Sequence, residues 1–345
     1  MSETLILTPE GLYCPDVRAH IDPVRPVERA IITHGHADHA RAGHGSVLAT
    51  PQTLDIMAIR YGQGFCEQRQ ELVYGEVVKV AETEISLHPA GHVLGSAQVR
   101  LADKAGRTVI SGDYKRQSDP TCADFELVPC DTFVTEATFG LPVFRHPPAQ
   151  EEMQKLLASL QLLPEKTHLL GAYSLGKAQR VIAEIRAAGY ERTIYLHGAL
   201  VNLCTYYQDQ GVDLGSLEPV GTRGRELAGE IVMCPPGQLA DRWARRFGDA
   251  MTSVASGWMR VRARARQRGV ELPLVISDHS DWNDLCRTIR ETGAQTIWVT
   301  HGAEDALVHW CENQGLVARP LNMIGYDDGE EAAEATVSQI DAVAG

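Results

Sequence analysis

From about residue 5 to residue 135, short apolar runs are broken repeatedly by Gly, Pro and Asp. That texture predicts short β-strands joined by tight turns. One stretch departs from it: Thr53 to Tyr61 has helical spacing. From Pro147 the pattern changes. Glu151 to Leu162 is amphipathic at the helical period, His168 to Tyr173 is strand-like, and Gly176 to Ala188 is helical again. Ile194 to Leu196 and Glu230 to Met233 predict further strands, with a helix over Val201 to Gln210 between them. Alternating strands and helices imply a parallel sheet. Strands at Leu274 to Ser277 and Thr296 to Thr300, with a helix over Trp282 to Thr292, are expected to return to the first region. The expected organisation is therefore a first segment 1–146, an inserted α/β domain 147–270, and a return segment with its tail, 271–345. Neither an internal repeat nor a low-complexity linker interrupts it.

Composition narrows the class. A chain of 345 residues with 44% hydrophobic content can bury a sizeable core. No apolar run reaches membrane-spanning length, and Met1-Ser2-Glu3-Thr4 lacks the basic and apolar regions of a signal peptide. The eight cysteines are scattered without a CxxC pair, which points to reduced thiols in the cytoplasm. A net charge of −13 opposes nucleic-acid binding in bulk. Binding follows local potential, however. The stretch from Asp327 to Glu334 concentrates acid in the tail. Arginines cluster at Arg242, Arg245 and Arg246, and again at Arg260, Arg262, Arg264, Arg266 and Arg268.

Candidate chemistry begins where the apolar run Ala30-Ile31-Ile32-Thr33 ends. His34-Gly35-His36-Ala37-Asp38-His39 packs three imidazoles and a carboxylate into six positions. Such donors suit zinc or manganese, and a catalytic site keeps one position open for water. His34 and His36 alternate and can converge on one ion, while Asp38 and His39 are offset enough to serve a second. Downstream, His92 lies between glycines, and Asp113 follows the run Val109-Ile110-Ser111-Gly112. Glu136, His279 and His301 each follow a strand-like run.

These motifs resemble the HxHxDH pattern of the metallo-β-lactamase superfamily, and the later three resemble the added motifs of its β-CASP nucleases. The closest resemblance is to the bacterial ligase-associated DNA exonuclease family. It rests on Gly11-Leu12-Tyr13-Cys14, the run Ser111 to Cys122, the run Thr135 to Pro142, and Ala255 to Arg260. The resemblance implies an αββα sandwich with an inserted β-CASP-type α/β cap. It implies that His34, His36 and His92 hold one divalent ion, zinc or alternatively manganese. Asp38, His39 and His301 would hold a second, and Asp113 would bridge the two. Asp22 would orient the metal loop without binding metal. A metal-activated water would then hydrolyse a phosphodiester bond. His279 would serve as general acid, with Glu136 as its carboxylate partner.

The same resemblance implies DNA as substrate, as a single strand or a strand end, and a functional link to an ATP-dependent DNA ligase and a helicase in repair. The turn Tyr173-Ser174-Leu175-Gly176-Lys177 opens a helix, where Ser174 and Lys177 are candidate phosphate contacts. His197-Gly198 is a weaker parallel. Trp258, Arg260 and Arg262 are candidate nucleic-acid contacts, the indole by stacking on a base. Period two over Arg260 to Arg268 would put five arginines on one strand face, whereas a helix would spread them. His44 and His88, although near metal motifs, are expected to be structural or surface residues. An RNA-processing β-CASP ribonuclease is the alternative, because His301 is the residue typical of that branch. The short stretch after His301 sets the chain apart from ribonuclease J enzymes. A glyoxalase-like hydrolase is disfavoured by the insertion, and a noncatalytic module by the complete ligand set.

Overall fold

The computed structural model describes residues 4–267 and 269–323. Arg268 and the acidic tail Asp327 to Glu334 lie outside them. The chain divides into two units. One runs to Arg145 and resumes at His279; the other spans His146–Asp278.

The first unit opens with β1 (Ile6–Thr8), β2 (Gly11–Cys14), β3 (Ala19–Ile21), β4 (Arg29–Ile31) and β5 (His44–Ala49). Helix α1 (Pro51–Tyr61) leads to β6 (Cys66–Glu71). These six strands form one sheet in sequence order, antiparallel through β3 and parallel thereafter. Helix α1 begins two residues before the expected Thr53. Thr50 caps it through the Thr53 N–H, and Pro51 fits the first turn, where no intrahelical N–H bond is needed. Then follow β7 (Val77–Val80), β8 (Thr83–Pro89), β9 (Ala97–Asp103), β10 (Gly106–Ile110) and β11 (Thr132–Ala137).

The second unit contains α2 (Ala149–Leu162), β12 (His168–Gly171), α3 (Lys177–Ala187), β13 (Ile194–Leu196), α4 (Gly198–Asp209), β14 (Leu217–Pro219), β15 (Ile231–Cys234) and β16 (Met251–Ala255). After it come α5 (Arg262–Gln267) and β17 (Leu272–Leu274). Its sheet is parallel throughout, in the order β14-β13-β15-β12-β16-β17. The strand expected at Leu274 to Ser277 is corrected here. It is the shorter β17, and it pairs with β16, so it completes the second unit instead of rejoining the first. Its backbone groups find ladder partners there, with Ser253 opposite Leu272 and Ala255 opposite Leu274.

The first unit resumes with α6 (Trp282–Thr292), β18 (Thr296–Gly302), α7 (Glu304–Asn313) and β19 (Val317–Pro320). Its second sheet runs β19-β18-β11-β10-β9-β8-β7. Strand alternation sorts side chains into layers. Ile31, Val99, Ile110, Val134 and Trp298 meet in a core shared by the two sheets. Ala30, Ile32 and Val47 face the other way, onto Leu54 and Met57 of α1. Val109, Phe133, Ile297 and Val299 pack on Leu285, Ile289 and Leu307 of α6 and α7. The result is the αββα sandwich. Each fully buried Ile, Val or Leu contributes about 1.5–3 kcal/mol. Among the described residues no helix is long and apolar enough to cross a membrane.

Candidate metal centre

The donors of the first unit sit where strands end. The Ile32 N–H still donates to the Leu48 carbonyl, so the chain leaves the first sheet only as it reaches Thr33 and His34. His36 Nδ1 then lies 3.1 Å from His34 Nε2 and 3.0 Å from His92 Nε2. Asp113 Oδ2 lies 3.5 Å from His34 Nε2 and 3.8 Å from His92 Nε2. A second group joins His39, Asp113 and His301, and a third joins Asp113, Glu136 and His279. Within each group the ligand atoms lie within 4.8 Å of one another, and Asp113 belongs to all three.

Loop geometry explains the convergence. Ser96 Oγ accepts from the His92 and Val93 N–H groups and holds the His92 turn closed. Gly91, at φ 73°, lets that turn lie against the segment after Asp113. A Cβ there would stand 2.3 Å from the Lys115 carbonyl oxygen. His301 is placed by a bulge. In the β11–β18 ladder Glu136 pairs with Thr300 and Ala137 with Gly302, so His301 is skipped. With φ at 58°, His301 is re-aimed out of the ladder, as bulged residues beside active sites commonly are. Gly302 follows at φ 87°, where a Cβ would lie 2.3 Å from the Ala137 carbonyl oxygen.

Around the donors lies an orienting layer. Asp22 accepts from the Thr33 N–H at 2.7 Å and from the Thr33 hydroxyl at 2.6 Å. Its Oδ2 is also 2.8 Å from His39 Nδ1, which leaves His39 Nε2 toward Asp113 at 3.4 Å. Thr33 Oγ1 is 3.0 Å from His34 Nδ1. Carboxylate and hydroxyl partners of this kind fix ring orientation and tautomer. Asp38 stands beside this set, with Oδ2 3.6 Å from His39 Nε2, and is not a member of the three tight groups.

On the other side, Glu136 is fully buried. Its Oε1 accepts from the Tyr114 N–H at 2.8 Å, and its Oε2 lies 2.9 Å from His279 Nδ1. The Tyr114 carbonyl accepts from the Ser280 N–H at 2.7 Å. One peptide segment therefore ties Asp113, Glu136 and His279 together. The Phe139 ring packs edge-on to His279, with centroids 6.1 Å apart.

The electrostatics suit cation binding. Burial, and then the neighbouring His39, hold His34 well below the ordinary imidazole value. Burial and His39 push His301 down to about 4. Burial also opposes protonation of His39, but Asp113 and Asp38 outweigh it and raise that ring well above the ordinary value. Burial alone would raise Asp113, yet His39 and His279 hold it well below the usual carboxylate range. The ring nitrogens of His34, His36 and His92 stand 3.0–3.1 Å apart, close enough to share one cation. Nitrogen and carboxylate donors in this mixture fit a divalent ion of the zinc or manganese kind.

The candidates in the second unit fare differently. Lys177 is buried at 2% exposure, and its Nζ lies 3.0 Å from Asp278 Oδ2. The expected phosphate contact is thus a structural cation, drawn inward because Asp278 is itself fully buried. Ser174 remains half-buried beside the start of α3. His197 caps α4 by accepting from the Ala199 N–H, and its ring packs on Trp243. Of the two alternatives for the basic run, the structure takes the helical one over its described residues. Gly257–Arg260 is a 3₁₀ turn and α5 is helical, so the arginines are spread, with Arg260, Arg262 and Arg266 exposed. The indole of Trp258 is half-buried and covered on one face by Arg264, 4.1 Å from the ring centroid. His44 Nδ1 accepts from the Val27 N–H, and His88 lies between Ser86 and Glu126, so both are structural.

Sequence reasoning did not single out Thr33, Ser96, Tyr114, Phe139 or Asp278. Thr33 and Asp278 carried a weak signal, since each directly precedes a candidate histidine. The Tyr114 contribution is made by backbone groups, which no side-chain pattern reveals.

Comparison with known proteins agrees with this geometry. Residues 15–171 match the model of the metallo-beta-lactamase superfamily. The chain is 26% identical over 315 residues to a "Probable DNA ligase" of Opitutus terrae, across 89% of this chain and 30% of that protein. It is 29% identical to "Transcription termination factor FttA" of Methanosarcina mazei, across 50% of this chain and 32% of that one. It is 28% identical to "Endoribonuclease YSH1" of Gibberella zeae, across 42% of this chain and 18% of that one. The chain matches less than a third of the length of each of these relatives.

Proposed function

We propose that this protein is a metal-dependent nuclease, and specifically a DNA exonuclease acting in repair. The observation that carries the proposal is the arrangement around Asp113. One buried carboxylate is shared by two histidine groups and by the Glu136–His279 pair. His34, His36 and His92 would hold one divalent ion, and His39, Asp38 and His301 a second, with Asp113 common to both. Bound there, two such ions supply Lewis acidity to a phosphoryl group and lower the pKa of a water. The protein's own groups do the rest. Asp22 and Thr33 hold the histidine loop. Glu136 accepts from His279 Nδ1–H and so favours the imidazolium. His279 Nε2–H is then the group that donates a proton to the departing oxygen.

The DNA preference draws support from the DNA ligase-named relative, which matches nearly the whole of this chain within a much longer protein. That match also supports work alongside a ligase. The helicase link rests on the family resemblance alone. The exposed Arg260 and Arg262 are proposed to track the strand backbone, with Trp258 as the candidate for stacking on a base. The second reading is an RNA-processing ribonuclease, favoured by His301 and by the endoribonuclease-named relative.

The test uses purified protein with zinc or manganese and matched end-labelled DNA and RNA strands, with His279→Ala alongside. Stepwise mononucleotide release from DNA, lost in the variant, is the expected result. Internal cuts in RNA with DNA left intact would replace the DNA reading with the RNA one. No cleavage of either would remove the nuclease reading altogether.

A further inference from the structure

Asp113 belongs to three donor groups, and the two ions of a dinuclear centre would fill only two of them. The third group joins Asp113, Glu136 and His279, all in the first unit and all buried. His279 Nδ1 lies 2.9 Å from Glu136 Oε2 and 4.0 Å from Asp113 Oδ2. Donors about 2.0–2.1 Å from a tetrahedral zinc ion stand about 3.3–3.4 Å from one another. The two observed separations bracket that value, so shifts of about half an ångström would seat an ion. Glu136 is already held for the purpose: its Oε1 accepts from the Tyr114 N–H, which leaves Oε2 on the His279 side.

The same features make this the weakest of the three groups. Asp113 is shared with the other two, and Glu136 has a single oxygen left to give. Ions already bound around Asp113 repel a further one at short range. Imidazole with two carboxylates still suits zinc, so the group should fill last, when zinc is in excess over the dinuclear centre.

We propose that Asp113, Glu136 and His279 form a third, low-affinity zinc site whose filling shuts off DNA cleavage. This rests on the nuclease reading above. As general acid, His279 carries a proton on each ring nitrogen, with Nδ1–H on Glu136. Zinc bound at Nδ1 replaces that proton, which passes to solvent. The ring then keeps one proton, on Nε2, and is no longer an imidazolium. It gives up that last proton far less readily, so the oxygen departing from phosphorus leaves unprotonated. A departing group that needs no proton is indifferent to the change, and this separates loss of the acid from general poisoning by zinc.

The experiment adds buffered free zinc to protein already carrying two ions and follows bound zinc and two reactions. One substrate is a DNA strand, whose departing alkoxide needs a proton. The other is the aryl ester bis(p-nitrophenyl) phosphate, whose departing phenolate does not. Wild-type protein is expected to bind a third ion, about a hundredfold more weakly than the second. As it binds, DNA cleavage should fall at least about tenfold while ester hydrolysis holds its two-ion rate. His279→Ala and Glu136→Gln should each keep two ions and lack the third. That readout needs no activity, and either variant suffices if the other does not fold. Wild-type protein that takes up no third ion overturns the proposal, as does a third ion that persists in a folded variant. An equal fall on both substrates, or unchanged DNA cleavage with the third ion bound, overturns it as well. Wild-type protein that hydrolyses the ester but cleaves no nucleic acid at any zinc level overturns the nuclease reading instead, and the variants still decide the site.

Discussion

Two strand-end turns in this molecule look alike in sequence and behave differently in structure. After β4, His34 to His39 offers imidazoles and a carboxylate; after β12, Tyr173 to Arg180 offers a hydroxyl, an amine and a guanidinium. In the first turn the histidines gather around one carboxylate: His36 Nδ1 lies 3.1 Å from His34 Nε2 and 3.0 Å from His92 Nε2, with Asp113 in the same group. In the second turn the cations have found an anion, with Lys177 on Asp278 at 3.0 Å. Imidazole and carboxylate groups gathered within reach of one point suit a cation from outside. A cation on a buried carboxylate is complete as it stands. Polar residues at a strand end therefore signal ligand binding only when packing gathers them into a donor set.

If that contrast is sound, damage to the first turn should remove chemistry and damage to the second should adjust it. The largest effect is expected from Asp113→Ala. It removes the one carboxylate common to all three groups, so activity should fall about a thousandfold or more, together with bound metal. Turnover assays and elemental analysis check this; retention of both ions would break the bridging role. Glu136→Gln comes next. It keeps the shape and the Tyr114 N–H bond but weakens support for the imidazolium, so kcat should fall about a hundredfold with the two tighter ions retained. A loss of either ion in that variant would make Glu136 a ligand of the dinuclear centre instead.

Thr33→Val should act more mildly. It removes the hydroxyl that donates to Asp22 and adjoins His34, which should weaken metal affinity about tenfold, as read by competition with a chelator. The smallest effect is expected in the second unit. Arg260→Ala with Arg262→Ala should leave aryl ester hydrolysis intact. It should weaken strand binding and reduce the dependence of log affinity on log salt by about 0.7 per arginine. An unchanged salt slope would place the strand elsewhere.

Much of the fold was legible because strand alternation is local. Ala30, Ile31 and Ile32 could be assigned to opposite faces from their order alone, and the structure divides them between two cores. The candidate donors His34, His36, His39, His92, Asp113 and His301, which the structure brings into the same groups, could be picked out for a related reason. Their residue types are uncommon together, and each follows an apolar run. The return point of the chain was not legible. Leu272–Leu274 is an apolar strand in either unit, and only its register against β16 settles where it belongs.

The role of a charged side chain proved hardest to infer. Lys177 at a helix start and Arg262 in a basic run look equally available to a phosphate. One is buried on Asp278, more than a hundred positions away along the chain, and the other is exposed. Residue order carries the chemistry of each donor and the period of each strand, because both are properties of near neighbours. It does not carry the distance between Asp113 and His39, the bulge that re-aims His301, or the partner that neutralises Lys177. Those arise when segments far apart in the chain pack together, and burial then forces each charge or lone pair to find whatever partner the packing brings near.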